Sequence, residues 1–128
     1  MSLDTVIDTL RTHVSHLTGL TRVYDDPPES MSEFPCAIVY PYRGNYEANA
    51  SGGRSFHTLV VEIHQSRQVL PQAMDAAKVW PDRLFAELKA ATDLHIVWPF
   101  NYTAAGLQYA TEVHYGVRFE VQVKVNEI

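Results

Sequence analysis

Residues 107–125 read Leu-Gln-Tyr-Ala-Thr-Glu-Val-His-Tyr-Gly-Val-Arg-Phe-Glu-Val-Gln-Val-Lys-Val. Leu107, Tyr109, Thr111, Val113, Tyr115, Val117, Phe119, Val121, Val123 and Val125 fall on one side of an extended chain, with Gln108, His114, Arg118, Glu120 and Lys124 on the other. Strict alternation of this kind is the pattern of β structure with one buried and one wet face. At about 3.3 Å per residue the stretch spans roughly 60 Å. A chain of 128 residues folds into a body only about 35–40 Å across. The strand is therefore expected to bend at Gly116, or to project beyond the body at residues 107–111.

The same reasoning runs outward to the rest of the chain. In residues 56–65, Leu59, Val61 and Ile63 face one way, while Thr58, Val60, Glu62 and His64 face the other. Residues 34–40 (Phe-Pro-Cys-Ala-Ile-Val-Tyr) form a short β-rich run between Pro35 and Pro41, which suits a sheet edge. Residues 94–100 read as another short strand, ended by Pro99. Leu3, Val6, Ile7, Leu10, Val14 and Leu17 repeat at i, i+3, i+4, i+7, the stripe of an amphipathic helix. Ser2 is placed to cap that helix and Gly19 to stop it. A second helix is expected from Pro71 to about residue 91, with a kink or restart near Trp80 because Pro81 has no N–H. Residues 43–55 have no hydrophobic period and are expected to form a long loop. The fold class is α+β: one domain over residues 1–128, an antiparallel sheet of about four strands with two helices on one face, in the order α-β-β-α-β-β.

The formal net charge of −5, without a Lys/Arg run, argues against a specific nucleic-acid-binding surface. No apolar stretch approaches the roughly 20 residues that cross a bilayer, and the acidic start of the chain does not resemble a secretion signal. A single cysteine, Cys36, excludes an internal disulfide. The six histidines show neither HExxH nor paired-cysteine spacing, so they are read as solvated or hydrogen-bonded rather than as metal ligands. Cys36 sits in an apolar run without a base beside it. No serine elbow, phosphate loop or fixed carboxylate pair is present. No catalytic residue, cofactor or metal is expected.

The aromatics are more informative. Tyr40, Tyr42 and Tyr46 flank Arg43 at the start of the expected loop, and Arg54 follows at its end. Tyr and Arg are enriched at protein interfaces, although these residues also suit the base of a hairpin. Trp80, Trp98 and Phe100 are assigned to the core. Tyr42, Arg43, Tyr46 and Arg54, with Tyr109 at the projecting end, are the candidate partner-binding residues.

In element order and texture the chain resembles the tail-terminator (tail-completion) proteins of long-tailed bacteriophages. The resemblance rests on the N-terminal amphipathic helix, the strand at residues 34–40, a Gly-rich loop, the strand at residues 56–63, a second helix and the terminal strand at residues 115–123. It implies a non-enzymatic structural protein of the virion, made in the host cytoplasm and placed at the head-proximal end of the tail. Such proteins form a homohexameric ring on the tail tube, stop its polymerisation and offer a surface for head–tail joining. The implied partners are further copies of the chain, the tail tube protein and a head-completion or connector protein. An acidic ring lumen would let DNA pass without sticking. The alternatives are another neck protein, such as a head-closure or adaptor protein, and a small ligand-binding α+β domain.

Overall fold

The apolar stripe of residues 3–17 winds into α1 (Leu3–Ser15) in the computed structural model, which describes residues 1–50 and 52–126. Ser2 Oγ accepts the Thr5 N–H at 3.2 Å, a cap that contributes about 1 kcal/mol. Val6, Leu10 and Val14 are fully buried. The chain then reverses through Gly19, whose φ of +96° is the left-handed conformation that glycine adopts without strain.

Five strands follow in one mixed sheet. They are β1 (Arg22–Val23), β2 (Cys36–Asn49), β3 (Gly52–Ser66), β4 (His95–Tyr109) and β5 (Glu112–Val125), in the spatial order β1-β2-β3-β5-β4. β1 runs parallel to β2, and every other pairing is antiparallel. The expected α+β class is present, but the sheet is mixed and five-stranded rather than antiparallel with about four strands, and the element order is α-β-β-β-α-α-β-β rather than α-β-β-α-β-β. The second helix divides into α2 (Pro71–Ala77) and α3 (Val79–Ala90). The break falls at Lys78 because Pro81 has no N–H to give to the Ala77 carbonyl.

The helices cover one face of the sheet. Val6, Leu10 and Val14 of α1 and Trp80, Leu84 and Leu88 of α3 pack on Ala37, Val39, Leu59, Val61, Ile63, Val117, Phe119, Val121 and Val123. These are the inward positions that alternation predicts for β3 and β5.

Four expectations are corrected. First, residues 107–125 are not one strand. The chain turns at Ala110–Thr111, with Ala110 at φ 54°, and Tyr109 pairs with Glu112. This two-residue turn shifts the parity: Leu107 pairs with His114 and Ala104 with Val117, so Leu107 and Val117 face opposite sides. Second, Gly116 is not a bend but a close approach. A Cβ there would lie 2.2 Å from the Ile63 carbonyl oxygen, so only glycine lets β5 pair at this point. Third, residues 43–55 are not a loop. Residues 43–49 pair with residues 52–58 as a hairpin arm, and Ser51 lies outside the described residues. The arm lacks alternation because most of it is exposed and has no face to bury. Fourth, the strands expected to end at Pro41 and Pro99 continue past irregularities at 41/43 and 97/101. β4 is an edge strand and β2 becomes one beyond Ala37, where its pairing with β1 ends, so at both prolines a missing N–H costs little and a bulge absorbs the ring.

The face expected to be wet is also covered at one end. Residues 24–35 lie over it, burying Tyr24 and Met31 against Cys36 and Ile38, with Phe34, Tyr40 and Tyr109 packed alongside. Val60, Glu62, His64 and His114 on this face are buried too.

Candidate assembly surface

The arm is positioned by register. Among the described residues β5 last pairs with β3 at Ser55, and residues 52–54 with their partners 47–49 continue from there as a two-stranded ribbon. Four of the five candidate contact residues gather on or beside it. Tyr42 and Tyr46 are 55% and 62% exposed. The Arg43 and Arg118 guanidinium carbons lie 5.7 Å and 5.4 Å from the Tyr42 ring centroid. Arg54 pairs with Glu47 and lies 5.7 Å from the Phe56 ring, which Lys124 approaches from 5.8 Å. One face of the arm is thus a stripe of cations against aromatic rings. Tyr46 occupies the other face, edge-on to His57 at 5.3 Å. Tyr109 stands apart at the opposite end of the sheet, where its hydroxyl donates to the Pro28 carbonyl.

Across the sheet, edge strand β4 carries a second exposed group. Trp98 and Tyr102 of β4 and Phe85 of α3 beside them are each more than two-fifths exposed. Their rings form a chain into the core: Phe85–Trp98 at 5.5 Å, Trp98–Phe100 at 5.8 Å and Phe100–Phe119 at 5.7 Å. Trp98 therefore belongs to the rim, not the core, and Phe100 bridges the two. Residues 98 and 100 share one side of the strand, as period two requires, and the pattern does not distinguish an edge position from a covered one.

Beneath residues 24–35 runs a buried polar chain that alternation assigned to solvent. Glu112 Oε2 lies 2.7 Å from His114 Nε2, the two Nδ1 atoms of His114 and His64 lie 2.9 Å apart, and His64 Nε2 lies 2.8 Å from Glu62 Oε1. Tyr40 donates its hydroxyl proton to the other Glu62 oxygen. The two rings thus stand in line between two acids, Glu62 and Glu112. Burial alone would push the Glu62 carboxyl up, but hydrogen bonds from His64 and Tyr40 hold it below its ordinary value. Burial, with Glu62 beside it, pushes the Tyr40 phenol up to about 12. Arg67 closes the lid, donating to the Met31 carbonyl at 2.8 Å and standing 3.8 Å from Glu112. The signal in the sequence was the pairing of an acid with a histidine two residues on, in Glu62/His64 and again in Glu112/His114, which puts each pair on one face of a strand.

A third cluster joins α1 to α3. His13 Nδ1 and His16 Nδ1 lie 2.7 Å and 3.1 Å from Glu87 Oε2, and His13 Nε2 lies 2.5 Å from Asp93 Oδ1. Neither a protein-family model nor a curated protein matches this chain.

Proposed function

We propose that this chain is a tail-terminator-type assembly protein of a long-tailed bacteriophage, forming a ring that caps the tail tube and receives the head connector. What supports the reading is the placement of two different exposed surfaces on opposite edges of one small sheet. The β2 side carries the arm with Tyr42, Arg43, Tyr46 and Arg54, and the β4 edge carries Trp98 and Tyr102, with Phe85 of α3 against Trp98. A closed ring is built from a heterologous contact, in which each subunit offers one surface to its left and a different one to its right. Open sheet edges and aromatic–arginine surfaces are the features such contacts use. Beyond the body, the arm has reach to touch either the neighbouring subunit or the tube.

The test is tail length. Phage lacking the gene should make tubes that run past the normal length, and wild-type protein supplied in trans should restore it. Tails of normal length that fail only to join heads would instead favour the neck-protein alternative.

A further inference from the structure

We infer that His13, His16 and Glu87 form a binding site for a divalent transition-metal ion of the zinc class, clamping α1 onto α3. The inference is independent of the ring reading. His13 lies in the last turn of α1 and His16, three residues on, is its C-cap in helical conformation, a spacing that places both rings on one side of the helix end. Glu87 arrives from the last half of α3. The three donor atoms, two imidazole nitrogens and one carboxylate oxygen, all lie within 4.8 Å of one another. Around a tetrahedral zinc ion with bonds of about 2.0–2.2 Å, neighbouring ligand atoms stand about 3.3 Å apart. The present separations of 2.7 Å and 3.1 Å from Glu87 to the two rings reach that value by small side-chain rotations.

The second observation is the far side of the His13 ring. Metal-bound histidines characteristically donate their other N–H to a carboxylate, which fixes the ring and raises its basicity. His13 Nε2 meets Asp93 Oδ1 at 2.5 Å while Nδ1 points at the cluster. Two imidazoles with one carboxylate suit zinc or its neighbours better than magnesium or calcium, which prefer all-oxygen shells. The side chain of His16 is 55% exposed, which leaves a route from solvent and a fourth position for water. Binding replaces the hydrogens now shared between the two Nδ1 atoms and Glu87, which leave to solvent.

Chelator-treated protein should be titrated with zinc by calorimetry, and with cobalt(II) to read coordination geometry from its visible spectrum. The expected result is one ion per chain, a tetrahedral cobalt spectrum, and a melting temperature raised by about 10 °C when free zinc is 100 times its Kd. His16→Gln and Glu87→Gln should weaken binding by more than about 100-fold, and Asp93→Asn by about 10–100-fold. His95→Gln, a change at an exposed histidine outside the cluster, should leave binding unaltered. His16 is largely exposed, so its variant is expected to fold as the parent does, verified by metal-free melting. Zinc binding no tighter than about 1 mM, or binding that survives both His16→Gln and Glu87→Gln, would overturn the assignment and leave the cluster a hydrogen-bonded helix clasp.

Discussion

Replacing Glu62 with Gln keeps the side chain's shape and removes its charge at the middle of the buried chain. Glu62 is 8% exposed and accepts from both Tyr40 and His64. A hydrogen bond to a charged group contributes about 1.5–3 kcal/mol, and breaking a buried charged pair costs about 3–5 kcal/mol. Gln retains one acceptor oxygen but turns an NH2 group toward a neighbour that already donates. The net cost at pH 7 is therefore expected at about 2–4 kcal/mol, with an unchanged denaturant m value. For a chain of this length that lowers the melting temperature by about 7–15 °C. The sign with pH follows from the depressed carboxyl. Its contribution is complete above the ordinary value of 4.5 and is lost as pH falls through the lower folded value. The gap between parent and variant should thus narrow in acid. Urea melts at neutral and acid pH measure it, with Glu47→Gln as the exposed comparison, expected to cost less than about 1 kcal/mol. A Glu62→Gln protein within 0.5 kcal/mol of the parent at pH 7 (about the scatter of a surface change), or a gap that does not change with pH, would refute this account of the chain.

Three further outcomes follow from the packing. Gly116→Ala drives a methyl group into the Ile63 carbonyl, so it should destabilise by about 3 kcal/mol, measured by urea melts, and deprotect β3–β5 amides in hydrogen exchange. Cys36 is fully buried and its thiol is pushed up to about 12 by burial and by Glu33; alkylating reagents at neutral pH should label it only as fast as the protein unfolds. Tyr46→Ala combined with Arg54→Ala should leave the melting temperature within about 3 °C, since both side chains are mostly exposed, yet abolish ring assembly measured by sedimentation.

The readable parts of this fold were those where one surface alone decides the residue. Val6, Leu10 and Val14 repeat because α1 has one dry stripe, and Leu59, Val61 and Ile63 alternate because helices cover one side of β3. The ends of strands were less legible. At Ala110–Thr111 the turn carries neither Gly nor Asn, and the apolar pattern runs on across it because Tyr109 meets the segment at residues 24–35 on the other face. Alternation reports that a side chain is covered, not by what, and so it could not tell solvent from the lid over Glu62 and His64. The arm was legible as chemistry through Tyr42, Arg43, Tyr46 and Arg54, but not as structure, because an exposed ribbon leaves no hydrophobic period. The cluster of His13, His16 and Glu87 depends on α1 meeting α3 across more than 70 positions of sequence, which no local spacing encodes.

The mass of the purified protein in solution, by light scattering, alone and then mixed with tail tube protein, decides the ring reading. The expected species is a ring of identical subunits, formed either by the protein itself or on meeting the tube, and reduced to single chains by Tyr46→Ala with Arg54→Ala. A chain that stays monomeric across concentrations and ignores the tube would show that these edges and the arm do not build a tail-terminating ring.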